Sequence, residues 1–249
     1  MKLLSIDSSG RSISAAILEF DDTQRTLLGS FNIDRAHNHS LTLLPMMNAL
    51  LEGCGLSLDQ MDAFAVTAGP GSFTGLRIGM ATIQGWCMAL DKPAILVPST
   101  AATAHAAANG GLICPIFDAR RNEVYTALFC GSERIWEDKA ISPQELAQAL
   151  SALDKPVTLV GDATRSWGEF ICSAVGANCR IAQPERLFMA ASAAVLAADK
   201  FLQKDFTPTA QLLPFYLRRS EAEEKLLGCA ISASSANSAN LAASAAEVK

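Results

Sequence analysis

A strand–turn–strand unit at the start of the chain recurs in its middle, and no other feature limits the fold as much. Residues 3–6 read as a short buried strand running into Asp7. Ser8-Ser9-Gly10-Arg11 is a turn, and residues 12–18 alternate, with Ile13, Ala15 and Ile17 on one face. The pattern restarts at residues 112–117, a buried strand that runs into Asp118. A charged turn follows, and residues 123–129 alternate again. Laid over one another without gaps, Asp7 falls on Asp118, Ile13 on Val124, Ala15 on Thr126 and Ile17 on Leu128.

The elements around the two hairpins repeat as well. The first is followed by a strand at 26–33, a helix at 40–51 and a strand at 64–67. A glycine-rich turn then opens a helix running to 90, and a strand at 94–97 leads into an alanine-rich helix. That last helix is expected to start behind Ser99 as N-cap and to stop at Asn109-Gly110-Gly111. After the second hairpin, Ser142-Pro143-Gln144-Glu145 carries an N-cap, a proline at N1 and a glutamate at N3. A strand at 157–160 and a helix at 189–201 complete the pattern. Two sequential α/β lobes of β-β-β-α-β-α order, at 1–109 and 110–219, account for this through duplication. Residues 229–249 hold eight alanines and five serines, too little apolar surface to offset ordering entropy, so 220–249 is expected to be a disordered tail.

Composition narrows the function. Of 249 residues, 50% are hydrophobic and 18% charged, which suits a sizeable core and excludes a disordered protein. Twenty basic against 25 acidic side chains leave a net charge of −5, so the basic footprint of autonomous nucleic-acid binding is missing. Any RNA role has to borrow cations from a partner. Seven cysteines, with no CxxC pair, argue against a disulfide framework or a zinc ribbon and suit a reducing cytosol. Asp7 interrupts the opening apolar run too early for a signal peptide, and no stretch of membrane-spanning length lacks a charge or breaker. A soluble cytoplasmic protein is expected.

Asp7, followed by Ser8, Ser9 and Gly10, resembles the first phosphate loop of the actin, sugar-kinase and heat-shock ATPase superfamily, where the carboxylate orients a hydrated metal. The plainer reading is that Asp7 caps its own turn. The fold implied is a pair of actin-like (ribonuclease H-like) lobes. A nucleotide-using member needs a glycine-rich loop in the second lobe, but here Asp118-Ala119-Arg120-Arg121 occupies it, and Gly161-Asp162 offers one glycine and a carboxylate. A degenerate cleft near Asp7, Ser8 and Asp118 is expected, with no cofactor bound. His37, His39 and His105 form no HxxxH or HExxH, so no metal site is expected, and no G-x-S-x-G elbow supports a hydrolase.

The most distinctive run is Gly69-Pro70-Gly71-Ser72-Phe73-Thr74-Gly75-Leu76-Arg77-Ile78-Gly79. Its helix N-terminus could bind an anion beside Arg77. Alternatively, its glycines let the helix press on a neighbouring strand through Gly75, Gly79 and Thr82, the reading favoured here. The helix at 41–51 carries apolar residues on nearly every side: Leu44, Met47 and Leu51 on one face, Leu43, Met46 and Leu50 on the next. A second stripe suggests a second partner, unless the helix is buried on both sides. Pro45 should sit in its first turn or kink it.

With the opening strand ending at Asp7, with His39 and with Leu44-Pro45-Met46, the run from Ala68 to Gly79 resembles the TsaB family, formerly called YeaZ. Asp118-Ala119-Arg120, Glu123-Val124-Tyr125 and Pro214-Phe215-Tyr216-Leu217-Arg218 extend the resemblance over residues 1–219. It implies a non-catalytic subunit that pairs with TsaD and works with TsaE to place a threonylcarbamoyl group on the adenosine beside the tRNA anticodon. In that family TsaD supplies the metal ligands and most of the chemistry; with a net charge of −5, this chain is expected to reach tRNA only through the complex. The family's partner surface lies on first-lobe helices, which fits Leu41, Leu44, Met47 and Leu51, and it serves for self-pairing when TsaD is missing. The Ala/Ser tail departs from the family pattern. The alternative is an enzyme in its own right, a sugar-kinase-like ATP user or a glycoprotease-like metallopeptidase. That alternative needs a nucleotide cleft or a metal site, and the sequence offers neither.

Overall fold

The first 33 residues build an antiparallel meander of β1 (Lys2–Asp7), β2 (Ile13–Phe20) and β3 (Arg25–Ile33), with β1 and β2 buried along nearly their whole length and β3 mostly exposed at the edge. α1 (His39–Gly53) carries the chain to β4 (Ala63–Gly69), α2 (Phe73–Leu90) to β5 (Ala94–Pro98), and α3 (Ser99–Ala106) ends the run. β4 and β5 join β1 in parallel, giving a five-stranded sheet of order β3-β2-β1-β4-β5. The second half repeats this with β6 (Leu112–Asp118), β7 (Val124–Cys130), β8 (Glu133–Ile141), α4 (Pro143–Ser151), β9 (Val157–Val160), α5 (Glu169–Val175), β10 (Cys179–Ile181) and α6 (Met189–Leu202). Its five-stranded sheet has the order β10-β9-β6-β7-β8. Read from the opposite edge, this is the strand order of the first sheet, as duplicated lobes require. This computed structural model describes residues 1–34, 38–107, 111–182 and 188–218. Met1–Leu217 form one compact unit.

Each sheet is sandwiched by helices, and the last helix of each half crosses over. Leu4, Ile6, Ile13, Ala15 and Ile17 face α1 and α2, whereas Cys114, Ile116, Val124 and Leu128 face α4 and α5. On the opposite face of the first sheet, Leu3, Ala63, Ala65 and Ile95 pack on Ala193, Ala194, Ala197 and Ala198 of α6. Ala104 of α3 packs on Ile113, Ala127, Phe129 and Val160 of the second sheet. The alanine run of α6 lets helix and sheet approach closely. A helix that closes one half therefore completes the core of the other.

α4 carries the expected capping box, with Ser142 Oγ accepting from Glu145 N at 3.2 Å and Glu145 Oε2 accepting from Ser142 N at 2.9 Å. Three expectations change. Ser99 is the first residue of α3, not its N-cap. Pro98 holds the cap position without a side-chain hydrogen bond, and the Ser99 hydroxyl is buried without a partner. The expected stop of that helix at Asn109 lies outside the described residues. Pro45 lies in the second turn of α1, which continues past it. Each half runs β-β-β-α-β-α-β-α, one strand and one helix more than the expected order; β8, α5 and β10 are the elements that the sequence leaves unassigned in the second half, and seven and three residues are too short for α5 and β10 to show a period.

The gapless overlay is also out of register in its first strand. Ile6 lies opposite Ala15, and the matching pair is Ile116 opposite Thr126. Phe117, not Asp118, therefore stands in the place of Asp7. Arg120, Arg121 and Asn122 all adopt left-handed conformations at φ 64°, 53° and 59°, and the second connection is a residue longer between equivalent pairs.

Candidate functional site

The end of β1 buries a carboxylate. Asp7 Oδ1 accepts hydrogen bonds from Ser9 N (3.1 Å), Ser9 Oγ (2.6 Å) and Thr67 Oγ1 (2.6 Å). Ser9 lies in the turn and Thr67 on the neighbouring β4. Burial pushes the Asp7 carboxyl above the usual carboxylate range; these hydrogen bonds and the nearby His39 pull the other way without offsetting it. A raised folded-state pKa means that Asp7 favours the fold below its unfolded pKa. That contribution is lost as pH rises through the folded value. Asparagine mimics the protonated acid, so the stability of Asp7→Asn relative to the parent is expected to increase from about pH 4 upward. Thermal unfolding across pH measures this, and a pH-independent difference contradicts it.

The glycine run packs against this turn. Ser72 N donates to Ser9 O at 2.6 Å and Ser8 Oγ donates to Gly75 O at 2.8 Å. A Cβ on Gly71 would strike the Ser9 carbonyl, one on Gly75 the Ser8 carbonyl, and one on Gly79 the Ser8 hydroxyl. The target is mainly the Ser8–Ser9 turn; a Gly79 Cβ would also meet Val66 of β4 at 3.3 Å. Ser72 caps α2 by accepting from Gly75 N at 3.3 Å.

The chain returns from the second half to cover this run. Thr207 N donates to Ala94 O (2.9 Å), Gln84 Nε2 to Thr209 O (3.2 Å) and Phe215 N to Ala68 O (2.7 Å), while Leu212 enters the core. Gly69, at φ +115°, lies where any side chain would meet the Phe215 carbonyl. Tyr216 stacks on Phe73 at 4.6 Å, and Arg77 lies 3.9 Å over the Phe73 ring while its Nε donates to the Tyr216 hydroxyl at 3.0 Å. Pro70 follows Gly69 through a cis peptide bond, and Thr74 lies in the first turn of α2. Thr67, Phe215 and Tyr216 gain roles that local sequence did not signal, beyond the buried threonine two residues before Gly69.

At the end of β6, Asp118 is exposed. Its N–H donates to Asp162 Oδ1 at 3.1 Å, and its own Oδ1 accepts from Arg120 N at 2.8 Å. Arg120 Nη1 stands 3.5 Å from Asp118 Oδ2. Asp162 follows Gly161, whose φ of +118° matches that of Gly69 at the end of the equivalent strand. The Asp162 carboxylate thus takes the amide that an anion at this loop would use.

α1 divides the four residues expected at a partner surface. Met47 (1% exposed) and Leu51 (8%) lie in the core with Leu43, Met46 and Leu50, whereas Leu41 (72%) and Leu44 (50%) face solvent. At 100° per residue the five core positions span an arc of about 140°, so the apparent second stripe is the edge of one wide stripe. On α2, exposed Ala81, Gly85 and Met88 run along one side, with Met88 73% exposed. His39 Nε2 lies 3.4 Å from Ser12 O, His105 lies in the last turn of α3, and His37 is outside the described residues. Among the described residues no three His, Cys, Asp or Glu side chains are placed to hold a metal, and no helix is long and apolar enough to cross a membrane.

Comparison with known proteins places these features among relatives. The family profile described as TsaD: tRNA N6-adenosine threonylcarbamoyltransferase matches residues 32–226. The tRNA threonylcarbamoyladenosine biosynthesis protein TsaB of Bacillus subtilis is 30% identical over 90% of this chain and 97% of its own length. That of Haemophilus influenzae is 30% identical over 92% and 98%. A tRNA N6-adenosine threonylcarbamoyltransferase of Novosphingobium aromaticivorans is 39% identical over 37% of this chain and 28% of its own. A crystal structure from Pseudomonas aeruginosa, of an uncharacterized protein similar to peptidase YEAZ, superposes with a TM-score of 0.72. It is 27% identical and covers 87% of this chain and 99% of its own.

Proposed function

We propose, from the premise that the chain belongs to the TsaB family, that it is the non-catalytic accessory subunit of a tRNA N6-adenosine threonylcarbamoyltransferase complex. The chain has a role in tRNA threonylcarbamoyladenosine biosynthesis. It pairs with TsaD, works with TsaE and meets tRNA only through the complex, in the cytoplasm. The divisions 1–109 and 110–219 are its two lobes; the disordered tail expected at 220–249 lies outside the described residues.

One observation carries the non-catalytic reading. Three amides of the loops where an actin-like cleft would take phosphate are engaged within the chain: Ser9 N by Asp7, Ser72 N by Ser9 O and Asp118 N by Asp162. A buried carboxylate held by three donors is a structural cap, and a carboxylate in the second loop repels an anion. This weighs against the kinase-like alternative, and the missing ligand cluster among the described residues offers the metallopeptidase alternative nothing. The outer arc of α1, with Leu41 and Leu44, and the exposed side of α2 supply an apolar face for TsaD or, in its absence, a second copy. The partial likeness to a threonylcarbamoyltransferase supports a relative of similar build as the partner. Size-exclusion chromatography with light scattering tests the pairing: mixing with TsaD is expected to convert the isolated chain into a 1:1 heterodimer. Independent elution of the two proteins contradicts it.

A further inference from the structure

Six of the cysteines are described, all unbonded, and two of them face each other. Cys172 lies on α5 and Cys179 opens β10, with their sulfurs 2.6 Å apart, closer than two non-bonded sulfur atoms rest. The turn between them is built to keep them there. Gly176 N donates to Cys172 O at 2.8 Å, Cys179 N donates to Gly176 O at 3.0 Å, and Gly176 reverses the chain at φ +85°. Both side chains are half-buried at the margin of the second-lobe core, so a small reagent reaches them. Cys114, the nearby third sulfur, is fully buried and engaged with Thr126 Oγ1 at 3.1 Å.

We propose that Cys172 and Cys179 form a dithiol site that reacts with small-molecule disulfides and closes into an intramolecular disulfide stapling α5 to β10. Burial and the neighbouring Cys172 keep Cys179 protonated well above the ordinary thiol range. The first attack therefore comes from Cys172. Its thiolate displaces one half of the small disulfide, forming a mixed disulfide and releasing one small thiolate. That thiolate takes the proton of Cys179, whose sulfur then attacks the Cys172 sulfur and expels the second half, which is protonated by solvent. Two protein thiols and one small disulfide become one protein disulfide and two small thiols, so hydrogens and electrons balance. In a reducing compartment the pair stays open, and it closes only when small disulfides accumulate. β10 is an edge strand, so the staple secures the side of the second sheet least held by neighbours.

The test incubates the full chain with glutathione disulfide, then alkylates it in denaturant and maps the peptides by mass spectrometry. The parent is expected to lose two alkylatable thiols, to yield a Cys172–Cys179 linked peptide and to retain no glutathione. Cys179→Ser is expected to hold one glutathione on Cys172, because the resolving thiol is gone, and Cys172→Ser to remain fully alkylatable. A parent in which Cys172 and Cys179 stay alkylatable, keep glutathione, or link to a different cysteine overturns the proposal.

Discussion

Gly75→Ala is expected to destabilise the protein by about 3 kcal/mol, a large effect for one methyl group. The added carbon would press into the Ser8 carbonyl oxygen, which is backbone and cannot swing aside like a side-chain tip. Ser8 is in turn tied to Gly75 O through its hydroxyl, so the turn and the helix cannot part without losing that bond. A drop in melting temperature of roughly 6–12 °C follows for a chain of this size. Gly85 lies on the same helix with nothing near an added Cβ, so Gly85→Ala should gain about 0.5–1 kcal/mol from helix propensity. Thermal unfolding of the two variants separates packing from propensity. Equal responses at both positions would show that the glycine run serves something other than close approach to the Ser8–Ser9 turn.

The second large effect separates two neighbouring residues of α1. Leu44→Glu puts a charge where solvent already reaches, so the free chain should keep its stability within about 0.5 kcal/mol. In a desolvated contact with TsaD the same carboxylate is unpaired, and binding should weaken about 100-fold, as expected for a buried unpaired charge. Met47→Glu behaves differently. Its side chain packs inside the core against the first sheet, so it should cost several kcal/mol and compromise folding before pairing is tested. Circular dichroism melts and titration with TsaD resolve the two. If Leu44→Glu binds TsaD as tightly as the parent, the outer arc of α1 is not the contact.

The fold was readable where a local rule and its tertiary result coincide. Short apolar runs ending in Asp7 and Asp118 mark β1 and β6, alternating residues mark β2 and β7, and the Ser142 and Glu145 capping box is visible as four consecutive letters. The glycine run announced close packing, but not its main target, because the Ser8–Ser9 turn lies more than sixty residues away and only the sheet order brings them together. Asp118 looked like a copy of Asp7 because letters align without geometry. Three successive left-handed residues lengthen its turn, and the register slips by one residue. Met47 and Leu51 misled for a similar reason: a wide apolar arc and two separate stripes have nearly the same sequence. Ser99 carried the letter of a cap, but Pro98 already held the position and the hydroxyl went into the core.

In the function proposed, this chain lends a surface to the transferase and leaves the chemistry to its partner. The direct measurement is threonylcarbamoyl transfer to tRNA from a supplied threonylcarbamoyl adenylate, with purified TsaD, TsaE and this chain combined and omitted in turn. The expected result is no modified adenosine from this chain alone and strong dependence of the TsaD reaction on adding it, unchanged by Asp7→Asn in a folded variant. Modified tRNA made by this chain without TsaD, and abolished by that substitution, would contradict it.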